Sequence, residues 1–147
     1  MERIKESKGF SLVELAIGLA IITVLILSIS LSAGLRDNAR TQSAAQSIQA
    51  LRTAAEGYLT SGRLNYAGIS ISSLKTQEFL PNAFSATGSN PWGGNYDIKP
   101  NSNANTQVDV SLTSVPKKDS SKLLAYFKNT AFATSYEDGK GNLILTF

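Results

Sequence analysis

The chain contains no cysteine and no histidine. Without thiols there is no disulfide staple, no thiolate nucleophile and no thiolate-based zinc site. Without imidazole every His-based triad is excluded as well. An enzyme would then need paired acids or a Ser-Lys pair, and the serine-rich loops set neither beside a suitable base. Proline is scarce: the chain has four, and none falls between residues 10 and 80. Nothing in that span therefore fixes a break in a long helix. Charge is also thin, at 17% of residues, and the net +3 arises from mixed signs along the chain. So small an excess does not argue for a nucleic-acid partner.

What the chain has in quantity is one long apolar block, followed by a polar remainder rich in Ser, Asn, Thr, Gly and Ala. Residues 15 to 35 carry no charge, and as a helix they span about 31 Å, the thickness of a bilayer's hydrocarbon core. Basic residues outnumber acidic ones in residues 1 to 9, which predicts a cytoplasmic N-terminus and a polar domain on the other side. Two readings of the block remain open. It is an uncleaved anchor, or it is a secretory signal cut after Ser32 or Gly34, although its length and the carboxylate of Glu14 at its front edge are unusual for a signal core. Glu14 itself fits the S-x-x-E capping box of Ser11-Leu12-Val13-Glu14. A carboxylate beside apolar surroundings otherwise costs a few kcal/mol unless it is paired.

The stretch Lys8-Gly9-Phe10-Ser11-Leu12-Val13-Glu14, set directly before the apolar run, resembles the leader and N-terminal helix of type IV prepilins, the class III signal of pilins and pseudopilins. That resemblance implies cleavage between Gly9 and Phe10 by a membrane aspartyl prepilin peptidase, and methylation of the new amine on Phe10. It implies assembly into a helical filament in which Glu14 pairs with the Phe10 amine of a neighbouring copy. Gly9 suits such a cut because it lets the backbone approach the peptidase closely. Cutting there keeps the apolar helix on the mature chain. The capping role of Glu14 stands beside the pairing role, since one carboxylate can serve first one and then the other.

Beyond Leu35 the pattern turns amphipathic, with Ala44, Ile48, Leu51, Ala55, Tyr58 and Leu59 on one stripe. A helix is expected from about residue 11 to residue 60, with Gly57 and Gly62 marking its fraying and end. A short helix is expected near Ile71 to Glu78. Asn90-Pro91-Trp92-Gly93-Gly94 reads as a tight turn, with Trp92 and Tyr96 as packing residues. Residues 95 to 99, 107 to 112 and 142 to 147 read as strands, and Asp119 to Ala131 as a helix capped by Asp119 that buries Leu123, Leu124 and Phe127. This half also resembles type IVb pilin domains, in which an NP-aromatic-G-G turn opens the sheet and a Val-Pro, here Val115-Pro116, precedes a helix. Without cysteine the last strand must be held by burial of Leu143, Leu145 and Phe147.

The fold class expected is α+β, a pilin-like lollipop whose long N-terminal helix packs on a small antiparallel sheet. Three segments follow: a leader at 1–9, a transmembrane and filament-core helix at 10–35, and a head domain at 36–147. The function expected is a structural subunit of a type IV pilus. It is made in the inner membrane and exported to an extracellular filament by prepilin peptidase and the pilus assembly machinery, as a homo-oligomer, with no cofactor and no specific nucleic acid. A minor pilin or type II secretion pseudopilin is the alternative within the family, and a non-polymerising membrane-anchored or secreted binding domain is the alternative outside it. Asp109, Asp119, Glu137 and Asp138 match no EF-hand spacing. Lys117, Lys118, Lys122 and Lys128 read as a solvated helix face.

Overall fold

A computed structural model describes residues 12–81, 84 and 89–147, apart from the side chains of Glu14 and of residues 24–33. In chain order its elements are α1 (Leu12–Thr60), α2 (Ile71–Thr76), β1 (Tyr96–Pro100), β2 (Val108–Leu112), α3 (Lys117–Phe127), β3 (Ala133–Glu137) and β4 (Asn142–Thr146). The chain divides into two compact units, Met1–Arg36 and Asp37–Phe147.

In the second unit the strands form a four-stranded antiparallel sheet in the order β1-β2-β4-β3. Val110 sits opposite both Ile98 and Leu145 across this sheet, so the β-branched and aliphatic residues at alternate positions share its inner face. The stripe of α1 that includes Ala44, Ile48, Leu51, Ala55 and Tyr58 is buried, and it forms a single core cluster with Leu74, the inward residues of β1, β2 and β4, and Leu123 and Phe127 of α3. Phe127 and Phe147 meet edge to face at 5.8 Å, which holds the C-terminus against α3. The arrangement is α+β, an N-terminal helix packed on an antiparallel sheet, as expected. Gly57 does not fray α1. It lies within the helix, where a Cβ would come 2.9 Å from the ring of Phe79, so its bareness makes room for that ring. Gly62, just beyond the helix, takes φ +95°, the usual geometry after a helix end.

Two local expectations are corrected. Strand β3 is none of the three strands expected; its residues are exposed except for a half-buried Tyr136, so no apolar alternation marks it. Helix α3 begins at Lys117 with Pro116 in the cap position, and it ends at Phe127 rather than Ala131. Pro116 has no N–H to satisfy, and its carbonyl accepts from the amides of Asp119 and Ser120 at 3.0 and 2.9 Å. Asp119 therefore lies inside the first turn, with its carboxylate released for another use. Leu123 and Phe127 are buried as expected, whereas Leu124 is only partly so. Helix α2 opens with a reciprocal capping box: the Ser73 amide donates to Ser70 Oγ at 3.1 Å and the Ser70 amide to Ser73 Oγ at 2.9 Å.

Candidate functional site

Gly9 and Phe10, the residues expected to flank the cut, lie outside the described residues, as does Ser11 of the expected capping box. Glu14 lies in α1, but its side chain is outside the description. What is described beside them is the first stretch of α1, where Leu12, Leu15, Ile17, Leu19, Ile21 and Ile22 each stay more than half exposed. At 100° per residue these positions, together with the exposed Val13, are spread around the helix rather than confined to one stripe, and so broad an apolar surface calls for an apolar environment. Thr23 spends its hydroxyl on its own helix, donating to the Leu19 carbonyl at 2.8 Å. Among the described residues no helix is long and apolar enough to cross a membrane.

In the second unit one buried carboxylate gathers three elements. Asp119 Oδ2 accepts from the indole Nε1 of Trp92 at 3.0 Å, and its Oδ1 accepts from Thr41 Oγ1 of α1 at 3.4 Å. Lys122 Nζ lies 3.6 Å from Asp119 Oδ1 and donates to Asn38 Oδ1 of α1 at 3.0 Å. Burying a charge is unfavourable unless donors surround it, and these donors come from α1, the turn before β1, and α3. The acid that the sequence offered as a helix cap is thus the tie between the base of α1 in this unit and the sheet.

The turn that delivers Trp92 is built around Asn90. Its buried side chain accepts from the amides of Trp92 and Gly94, each at 3.0 Å, and donates to the Thr113 carbonyl at 2.6 Å. Gly93 adopts φ +85°, which a side chain disfavours. A Cβ on Gly94 would collide with the Thr113 carbonyl. Each residue of the Asn-Pro-Trp-Gly-Gly motif after the proline therefore has a separate physical job: Trp92 reaches α3, Gly93 turns the chain, and Gly94 lets it pass beside β2.

The remaining acids and lysines are mostly turned toward each other. Asp109 Oδ1 accepts from Thr146 Oγ1 at 2.7 Å and Asn101 Nδ2 at 2.9 Å. Glu137 pairs with Lys140 at 2.8 Å, and Lys117 with Asp138. The hydrogen bond donated by Lys140 holds the Glu137 carboxyl below its ordinary range, and the bonds that Lys117 and Lys140 donate to Asp138 and Glu137 hold their ammonium groups above theirs. Lys118 reaches Asp37 at 3.5 Å. The lysines expected to lie solvated on one helix face are, except Lys128, engaged within the chain. Among the described residues no group of acids is arranged to hold a metal ion. The outer face of the sheet carries a concavity of about 780 Å³ between Asn95, Lys99, Ser111, Asn142 and Ile144, and there Lys99 pairs with Asp97 at 2.8 Å.

Comparison with known families agrees with both halves of this description. Residues 38–142 match the family described as PilS N terminal, which takes in the base of α1, the Asn90 turn, β1, β2, α3 and β3 and stops at the first residue of β4. Residues 4–30 match the prokaryotic N-terminal methylation motif, which takes in Gly9, Phe10, Glu14 and the exposed apolar helix. No curated protein matches the chain.

Proposed function

The chain belongs to the PilS N-terminal family and is a type IV pilin-like protein carrying the methylation motif, and from that premise we propose that it is a structural subunit of a type IV pilus filament. It is made as a prepilin in the inner membrane, cut between Gly9 and Phe10 by prepilin peptidase and methylated on Phe10. It then assembles as a homo-oligomer through residues 10–35, while residues 36–147 form the head displayed outside the cell. The role is structural rather than enzymatic, as the family is.

The observation that carries this reading is the stretch of helix from Leu12 to Thr23, whose large apolar side chains are exposed, lying within the residues that match the methylation motif. In a membrane, lipid covers that surface; in a filament, the same helices of other copies cover it. One helix can pass between the two because the apolar partner changes while the burial does not. The uncharged run from residue 15 to residue 35 supplies the length for a span.

Glu14 gives the transfer a direction. In the sequence it directly precedes the uncharged run of residues 15 to 35, where an unpaired charge is unfavourable, and the amine created on Phe10 of an incoming copy offers a counter-charge. Electron microscopy of cells lacking this chain tests the reading: loss of filaments supports a filament subunit, and an unchanged filament population refutes its role as the principal one.

A further inference from the structure

The two edges of the sheet are not equivalent. Val108 and Phe147 exchange both backbone bonds, N–H to carbonyl, at 2.9 Å, so in β4 the residues facing β2 are Leu143, Leu145 and Phe147. Bonding direction alternates along a strand. Asn142, Ile144 and Thr146 therefore face β3, where their register partners are Glu137, Ser135 and Ala133. The residues between those partners, Thr134 and Tyr136, point their amides and carbonyls away from the sheet.

Applying the same alternation to β1, Tyr96, Ile98 and Pro100 face outward across from β2. That edge ends in a proline, which has no N–H, and carries the charged pair Asp97 and Lys99. Such features protect an edge from pairing. β3 has no proline and only Glu137 as a charge, and its side chains are exposed apart from the half-buried Tyr136. Just before it stands Phe132, 77% exposed. Among the described residues no strand pairs with the outer side of β3, and such an edge is a template for another strand.

We propose that the outer edge of β3 pairs antiparallel with β3 of a second copy, about a two-fold axis through Ser135, joining two four-stranded sheets into one. The sequence of the strand is self-complementary in that register. Thr134 faces Tyr136 of the second copy and exchanges both backbone bonds with it, and the symmetry repeats the exchange. The same two residues form an aromatic and β-branched cross-strand pair, a favoured combination. Glu137 falls opposite Ala133 of the second copy, so the strand's one charge never meets itself. Ser135 faces Ser135 in a non-hydrogen-bonded pair, where two hydroxyls can bond each other.

Occupancy by a second copy is favoured over a foreign peptide because this register matches the free backbone groups and the charge without any further partner. A contact one strand long is small, below the roughly 1,000 Å² of a stable interface. It is therefore weak between two free chains and strong where many copies are displayed in a row, since linked contacts add avidity. Pairing of this edge does not depend on leader cleavage or on filament assembly.

The test uses the absence of cysteine. Ser135→Cys places the chain's only thiol on the proposed axis, where the Cα atoms of a non-hydrogen-bonded pair stand about 4.5 Å apart, within the range a disulfide bridges. Under mild oxidation of the full chain in detergent, the disulfide-linked dimer is expected to form at least about tenfold faster than from Ser121→Cys on α3, equivalent to about 1.4 kcal/mol of pairing preference. Adding Thr134→Pro removes an outward N–H and leaves the bonds to β4 in place; it is expected to return the rate to that of Ser121→Cys. Equal rates for Ser135→Cys and Ser121→Cys overturn the proposal, and so does a fast rate that survives Thr134→Pro. Filament loss with fast linkage of the isolated chain, or the reverse, separates the fate of this proposal from that of the filament reading.

Discussion

The indole of Trp92 donates to the buried carboxylate of Asp119 at 3.0 Å, which ties the turn before β1 to the first turn of α3. Thr41 of α1 meets the same carboxylate at 3.4 Å. The base of α1 in the second unit is thus fixed to the sheet by polar bonds as well as by the apolar stripe.

Trp92→Phe keeps an aromatic ring, though a smaller one, at this position and deletes the N–H. Asp119 is then left buried with one donor fewer, a loss of about 1–3 kcal/mol, which lowers the melting temperature by about 5 °C per kcal/mol for a domain of this size. Thermal unfolding followed by circular dichroism measures it. An unchanged melting temperature means the bond does not contribute to stability.

Gly94→Ala is expected to destabilise by about 1–3 kcal/mol or more, because the added Cβ meets the Thr113 carbonyl, part of a backbone that cannot move without disturbing β2. Gly139→Ala, where a Cβ meets nothing within 4 Å, is the matched control and should stay close to the parent in denaturant midpoint.

Alkaline pH should weaken the fold. Burial pushes the Tyr96 phenol above its ordinary value of 10.0, a shift the nearby Ser47 hydroxyl opposes. Burial, then the Glu56 carboxylate, raises Tyr66. Below the ordinary value both groups are protonated, folded or unfolded, and the stabilisation is fully present. As pH rises past it, the unfolded chain ionises first, so stability falls until the raised folded values are passed. Denaturant midpoints measured between about pH 9 and pH 11 should decline, and Tyr96→Phe should flatten the decline. Among the described residues the Tyr96 hydroxyl makes no hydrogen bond of normal geometry, the Ser47 contact included, so the same change should cost little at neutral pH.

Gly9→Val should accumulate as uncut precursor, since a β-branched side chain obstructs approach to the bond. Glu14→Ala should be cut normally but yield few filaments. Immunoblots for processing and electron microscopy for filaments read the two separately. Abundant filaments from Glu14→Ala would leave the capping box as the carboxylate's main role.

Much of this fold was legible because its signals are local. The uncharged run and the Ala44 to Tyr58 stripe located α1, and Asn90 to Gly94 announced a turn because proline and paired glycines restrict the backbone in their own positions. Strands β1, β2 and β4 showed through alternation, within a residue of their ends. β3 did not, because an edge strand without a buried face has no period to read. Asp119 was misread because an acid at the helix cap and an acid three residues later look alike in sequence; the distinction lies in Pro116 and in Trp92, 27 residues away. For the expected processing site the reverse holds. Its motif is entirely local, and the sequence carries it alone.

The central claim, that this chain is processed as a prepilin, is tested most directly by the intact mass and N-terminal sequence of the protein recovered from the cells that make it. The account expects a chain that begins at Phe10, lacks residues 1–9 and carries one added methyl group on its amine. A chain with its N-terminus intact, or one that begins near Ala33 or Leu35, would contradict it.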